Sequence, residues 1–529
     1  MYRGHGLLAV PRRRLRLSHP DKMQMSISFA NPIANGVNIR SMARALVPLL
    51  AGAGAYLLFL SMGEILLRDS DTLWQIRIGQ WIVEHGALPY TDVHTFTRFG
   101  EPWMSSSWLS QVLYALSYRS LDWAGPVVLT SLAIGVTVAI FIYLLDEYVD
   151  PARSTLLVTL AVLMSATHFL ARPHMLAFPF MVAFIGGLMV AADRRSHPSW
   201  LSLPLLALWA NLHGGFVLGL ALIGPIGLEA IWCCDPKHRV ALAARWALFG
   251  VAAVAACCCT PYGWGTLLGA AKILSLGKLL TLIWEWMPAN FGSISFFEVA
   301  LLGLIGLAFF RGLVLSVPRI LLLLGLIWMA LSHARNIEVF AFLAPLVLAK
   351  PFAEQLGTVQ PDAAAAREIQ SRPHVVMLAA LAVAVAGWAS TKTFVAHHPF
   401  SFIESQTPAA AVDVLKQRQA QRIFSTAPFG GYLLSRDIKT FIDGRAELYG
   451  EQFVIDYFDA VEAKDVDLLL RLLEKYRIDA TLLNPTLPAT KLLDHLPGWK
   501  RLYADDIAVI HVRDDRPGTT PSAAPESPR

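Results

Sequence analysis

The stretch ALVPLLAGAGAYLLFLSMGEILLRDSDTLW, residues 45–74, decides the fold. Residues 45–66 form an apolar run long enough for one helix to cross a bilayer, which takes about 20 residues. The run ends abruptly at Arg68, Asp69 and Asp71, and an amphipathic segment starts at Leu73. Ahead of it stand Arg12, Arg13, Arg14, Arg16, Lys22, Arg40 and Arg44. Lys and Arg mark the cytoplasmic side of a membrane. The sequence therefore predicts a basic cytoplasmic segment over 1–44, a first span, and the two aspartates on the outer side.

Composition carries the same message along all 529 residues. Apolar residues make up 55% and charged residues 16%, against roughly 25% charged in soluble domains. Mean hydropathy is +0.50. A soluble protein cannot hide that much apolar surface, so a soluble enzyme, a disordered chain and a fibrous protein are excluded. Fifteen Trp and 27 Phe suit the aromatic belts of a polytopic membrane protein. The net charge of +5, from 44 basic and 39 acidic residues, is too mild to imply nucleic acid. Cys233, Cys234, Cys257, Cys258 and Cys259 sit in or beside apolar segments. Their spacing fits no metal or disulfide framework.

Working outward from the first span, a polar stretch covers 67–125. Further apolar segments read at 126–145, 155–170, 176–192, 201–212, 216–233, 246–260, 297–310, 320–332, 337–349 and 375–392. That makes about eleven transmembrane helices, several of them short. With the N-terminus inside, the connections expected to face inward hold Arg153, Arg194, Arg195, Lys237, Arg239, Arg245, Arg311, Arg319, Lys350, Arg367 and Arg372. Each is basic, in keeping with the count. Residues 393–513 change character. Runs at 423–426, 440–442, 480–483 and 506–512 read as strands, and Asp465 to Tyr476 as a helix with Val466, Leu469, Leu470 and Leu473 on one face. This predicts a small extracytoplasmic α/β domain. The tail, 514–529, is rich in Pro, Ser and Ala and reads as disordered.

Uncommon polar residues recur at successive outward ends: Asp69, Asp71, Asp92, Arg172, His174, Asn211, His213, Glu285, His333 and Arg335. Any one could snorkel into headgroups. Together they predict a polar chamber at the mouth of the bundle. Within the first loop, Trp74, Ile78, Trp81 and Ile82, then Trp108, Val112, Ala115 and Leu116, repeat at helical spacing. Two helices lying in the membrane interface would place them so. Residues two apart on a helix point to different sides, so one of Asp69 and Asp71 faces the chamber. Asp71 is preferred because it opens the helix, where it could also serve only as an N-cap. Arg68 could pair with Asp69.

These residues carry a resemblance. Asp69-Ser70-Asp71-Thr72-Leu73-Trp74, Gly86-Ala87-Leu88-Pro89-Tyr90-Thr91-Asp92, Trp108-Leu109, Asn211-Leu212-His213-Gly214-Gly215, Glu285-Trp286 and Arg335-Asn336 resemble the GT-C superfamily of membrane glycosyltransferases. Gly430-Gly431-Tyr432 and Phe441-Ile442-Asp443-Gly444-Arg445 look similar to the C-terminal domain of its bacterial members. The chain lacks the Trp-Trp-Asp run of oligosaccharyltransferases and the Asp-Glu pair of protein mannosyltransferases. It has Gln75 and Ser107 where related sequences tend to show His and Glu. The resemblance implies a multi-pass protein of the bacterial inner membrane. It implies a polyprenyl-phosphate-linked sugar donor, an extracytoplasmic glycan, lipid or protein acceptor, and a catalytic Asp carried here by Asp71 or Asp69.

The chemistry fits those residue types. A lipid-phosphate leaving group needs no strong acid, so one carboxylate base and one cation suffice. Arg335 is the candidate cation, since guanidinium forks onto phosphate oxygens. His213, His333, Asp92, Glu285 and His174 are further candidates for substrate binding. A divalent metal between carboxylate and phosphate stays open, because no spacing specifies ligands. Asp443 and Arg445 read as an internal salt bridge or as acceptor contacts. The alternatives to an enzyme are a lipid-linked sugar transporter or flippase and a catalytically silent scaffold of envelope assembly.

Overall fold

The computed structural model describes residues 39–274, 277, 284–355, 357, 373–402 and 407–514. Most of the basic N-terminal segment, Arg367, Arg372 and residues 515–529 lie outside the described residues.

Every apolar segment read from the sequence is helical. In chain order these helices are Ile39–Ser61, Ala124–Leu145, Pro151–Ser165, Pro173–Asp193, Ser202–Leu212, Phe216–Trp232, Arg239–Cys257, Phe296–Arg311, Val317–Ser332, Ile337–Gln355 and Pro373–His397. Among the described residues, five helical stretches are long and apolar enough to cross a membrane: Ala124–Leu145, Pro173–Asp193, Pro236–Cys257, Ala334–Gln355 and Met377–His397. Four shorter apolar helices accompany them. This is a multi-pass helical membrane protein. Local chemistry sets several helix starts. The Asp150 carboxylate accepts the Ala152 and Arg153 amides, both at 3.2 Å, just ahead of Pro151. Ser295 and Glu298 form a reciprocal capping box.

Pro173–Asp193 runs through the middle, with 78% of its apolar window buried, whereas Met377–His397 buries none of its own. The latter lies on the outside of the bundle, its apolar side chains left for lipid. Small residues bring helices close. A Cβ at Gly52 would stand 2.7 Å from the Gly135 carbonyl oxygen, so Ile39–Ser61 meets Ala124–Leu145 backbone to backbone.

After the first helix the chain forms Asp71–His85 and Trp108–Leu121, the two expected amphipathic helices. Gly79 lets them touch, since any side chain there would strike the Gln111 backbone. Trp74 departs from the setting expected for it at the headgroups. Trp74, Ile78 and Ile82 are buried in one cluster with Phe424, Phe441 and Tyr457 of the C-terminal region. A tryptophan enclosed by protein has no headgroup to meet.

Among the described residues, the C-terminal region carries four strands: β1 (Ile423–Ser425), β2 (Ala480–Leu483), β3 (Trp499–Ala504) and β4 (Val509–Arg513). The sheet order is β1-β2-β4-β3, with β1 and β2 parallel and the other pairs antiparallel. Helix Val466–Lys475 precedes β2 and buries Leu469, Leu472 and Leu473. Two expectations are corrected here. Residues 440–442 are no strand of this sheet; Thr440 instead pairs with Thr95 of the first loop. Trp499–Ala504 is a strand the pattern did not reveal, because its side chains are largely exposed and break the apolar alternation.

Candidate functional site

The centre of the site is Arg172, the residue before the buried helix Pro173–Asp193. Its backbone is fixed from several sides. Ala171 donates its amide to the Leu66 carbonyl at 2.8 Å and accepts the Thr72 hydroxyl at 3.0 Å. The Tyr114 hydroxyl donates to the Arg172 carbonyl at 3.1 Å. The guanidinium is thereby aimed at three carboxylates. One Nη donates to Asp71, and the other to Glu285. Asp69 stands 3.4 Å from the second nitrogen. Each of these carboxylates is 22% exposed and the Arg172 side chain 19%, so the cluster is sheltered but reachable.

Asp71 is the first residue of its helix, and its carboxylate does not cap that helix. Asp69 serves there, its Oδ1 accepting the Asp71 amide at 2.7 Å. This frees the Asp71 side chain to reach Arg172, while its Oδ1 accepts the Trp74 indole N–H at 2.9 Å. Both aspartates therefore face the cluster, because Asp69 precedes the helix and escapes helical spacing. Arg68 does not pair with Asp69; it donates to the Thr167 carbonyl.

Burial pushes the Asp71 carboxyl up to about 6; Arg172 pulls it down, and Asp69 adds to the rise. Burial also works to raise Glu285, but Arg172 and Arg335 outweigh it and hold that carboxyl below its ordinary range. Burial opposes the charge on Arg172 as well, yet its three carboxylates raise the guanidinium further above its usual value. The cluster thus has one carboxyl poised near neutrality beside permanent charges.

Arg335 lies at the same end of the bundle. Its guanidinium stacks on Trp286, 4.6 Å from the ring centre, next in sequence to Glu285. Among the described residues it makes no ion pair within 4 Å. His333 is held by the Trp286 carbonyl at 2.7 Å. His213 accepts the Gly215 amide at 3.0 Å, and its ring lies 6.2 Å from that of His174. Burial, then Arg335 and Arg172, lower His213 to about 3, so it is neutral there. His174 bonds the His168 carbonyl at 3.1 Å and stands 3.9 Å from Glu338.

Asp92 is placed elsewhere. It is fully buried and accepts Arg445 Nη1 at 2.7 Å, while Arg445 Nη2 reaches Asp443 at 2.7 Å. Asp92 thus ties the first loop to the C-terminal region. The consequence appears one residue away. A Cβ on Gly444 would collide with Asp71 Oδ1 and stand 2.8 Å from Trp74 Nε1. The turn 443–445 is therefore a wall of the Asp71 site. Gly431 presses likewise on the Ser70 carbonyl. Gln75 and Ser107 are both buried; Gln75 takes the Gln111 amide at 2.7 Å.

Sequence reasoning places Arg172 only among the residues expected around the outward chamber, and Gly444 only within a motif. Direct contact of either with Asp71 is not among its expectations. The three carboxylates surround a guanidinium, and among the described residues no group of three or more His, Cys, Asp or Glu is placed to hold a metal ion.

No family model matches the sequence, and no curated protein matches it. The chain is similar to two solved structures from Archaeoglobus fulgidus. One is an oligosaccharyltransferase in the apo form, at 10% identity and a TM-score of 0.46, covering 84% of this chain and 69% of that chain. The other is the archaeal oligosaccharyltransferase AglB in complex with an inhibitory peptide and a dolichol-phosphate, at 11% identity and a TM-score of 0.45, covering 81% and 69%.

Proposed function

We propose that the protein is an inverting membrane glycosyltransferase. It moves a sugar from a polyprenyl-phosphate carrier to an extracytoplasmic glycan, lipid or protein. The observation that carries this reading is the Asp71 carboxyl: raised to about 6, sheltered, and held between Trp74 and Arg172. Such a group is a competent base near neutral pH.

In the reaction, ionised Asp71 takes the proton of an acceptor hydroxyl. The acceptor oxygen attacks the anomeric carbon from the face opposite the phosphate. The carbon–oxygen bond to phosphate breaks, and the phosphate oxygen leaves with the electron pair. Arg335, which makes no ion pair within 4 Å among the described residues, supplies the charge that stabilises the leaving phosphate. Arg172 holds Asp71 in place and shares the load of negative charge. Asp69 acts through the helix start, keeping Asp71 in register. The basic connections at the other end support an outward-facing Asp71 end.

The far end of the bundle supports an enzyme over a transporter. There Arg319, Asp193 and Glu229 are buried and joined by bonds of 2.6 and 2.9 Å, a charge-balanced packing that supports a closed end. The test is Asp71→Asn, with envelope glycans profiled by mass spectrometry beside the full deletion. The variant should reproduce the deletion profile at normal protein levels. A wild-type profile from it rejects the assignment.

A further inference from the structure

A cavity of about 680 Å³ lies on the other face of helix Asp71–His85, between that helix, the start of Ala124–Leu145 and the C-terminal region. Its size is that of a small-molecule site. Trp74, Ile78 and Ile82 pack into the C-terminal core, while buried Leu73 and Ile76 and half-buried Arg77 and Gln80 line the cavity from the same helix. Tyr118, Trp123 and Tyr432 supply aromatic surface, with the Tyr118 and Trp123 rings 4.9 Å apart.

The charges around it are already spent. Arg77 Nε donates to Asp437 at 2.9 Å, and a terminal nitrogen reaches Glu84 at 3.3 Å. Arg436 pairs with Asp413 at 3.3 Å. Asp505 accepts the Tyr503 hydroxyl at 2.6 Å and the amides of Ile507 and Ala508 at 2.8 and 2.7 Å. Among the described residues, each charged side chain that lines the cavity thus already has an ion-pair or hydrogen-bond partner. What remains is aromatic surface beside neutral polar groups, notably the Gln80 amide, which has no protein hydrogen bond among the described residues. That combination suits a ligand with C–H-rich faces and many hydroxyls.

We propose that this cavity binds a neutral oligosaccharide, whose sugar rings pack on Trp123 and Tyr432 and whose hydroxyls bond Gln80. Naming it the acceptor glycan rests on the glycosyl-transfer reading above; the binding itself does not. The site borders the Asp71 cluster through two chain connections: Leu73 follows Asp71 by two residues, and Tyr432 follows Gly431, which touches Ser70.

The test uses the full chain in lipid nanodiscs against two panels: neutral tri- to hexasaccharides of glucose, mannose and galactose, and oligosaccharides bearing uronic acids. The expected result is binding to at least one neutral member and weaker binding to the uronic panel. Gln80→Ala and Trp123→Ala should each weaken that binding by about tenfold or more. Tyr432→Phe, which keeps the ring, should stay within about threefold and controls for folding. Asp71→Asn should bind as the wild type does. If that variant binds glycan but keeps transfer activity, the catalytic assignment fails and this site stands. No neutral sugar bound, preference for the uronic panel, or full binding by both alanine variants overturns the proposal.

Discussion

Gly444 lies against the carboxylate of Asp71, so closely that a methyl group at 444 would overlap Asp71 Oδ1. Two segments 373 positions apart thus share one surface. The turn cannot retreat, because Arg445 beside it is buried between Asp92 and Asp443. Gly444→Ala should therefore displace Asp71, not the turn. A shift of about 1 Å at a reacting group costs on the order of 100-fold in rate. The expected outcome is a transfer rate reduced about that much, with a thermal midpoint within a few degrees of the wild type. Undiminished transfer would show that the carboxylate position is unimportant.

The raised Asp71 carboxyl sets a pH dependence. In the proposed reaction the base is the ionised form, so activity should be present above about pH 6 and lost as pH falls through that value. Below it the rate should drop about tenfold per pH unit, the slope of a single proton. Arg172 is the main influence holding this carboxyl down, against burial. Arg172→Gln should move the fall in rate to higher pH as well as lowering the plateau. A profile flat from pH 5 to 8 would remove Asp71 as the base.

The join between first loop and C-terminal region rests on buried, paired charge. Burial works to raise the Asp443 carboxyl, and Arg445 more than offsets it, holding it below the ordinary range. Arg445 also lies 4.8 Å from the Trp103 ring centre. Removing one partner of such a pair leaves uncompensated buried charge, a loss of about 3–5 kcal/mol. Arg445→Met should lower stability by that order and make the C-terminal region more open to protease, read by denaturation and limited proteolysis. Unaltered cleavage and stability would mean the triad does not hold the two parts together.

How much of this was readable beforehand depends on whether the information is local. Apolar runs are local, and each proved helical. The aspartate-rich end of the first helix is local too, and so is the arginine ahead of Pro173. Their meeting is not: Asp71 and Arg172 are 101 residues apart, and only the packing of Pro173–Asp193 against the first loop brings them together. Spacing rules assigned Asp69 and Asp71 to opposite faces because they assumed one helix through both, whereas the helix starts at Asp71. Trp74 looked interfacial because an amphipathic pattern states that a face is buried, not by what. The apolar cover turned out to be Phe441 and its neighbours, residues distant in sequence.

The same nonlocality governs the far end, where a last prediction can be made. Helix Pro173–Asp193 has 21 residues, about 30 Å at 1.5 Å per residue, so Asp193 lies far from Arg172. There Arg319 bonds Asp193 at 2.6 Å, Glu229 at 2.9 Å and the Val347 carbonyl at 3.2 Å. Lys350 Nζ adds a bond to the Asp193 carbonyl at 2.5 Å. Four helices are tied together by these groups. Arg319→Met alone leaves Asp193 and Glu229 buried without their cation and should destabilise by about 3–5 kcal/mol. Adding Asp193→Asn and Glu229→Gln removes the stranded charges and should recover much of that loss. The pH profile of transfer should stay that of the wild type throughout, since Asp71 lies a membrane's width away. Thermal unfolding in detergent reads the first two expectations. Equal stability of the single and triple variants would show that this cluster is not a charge-balanced clasp.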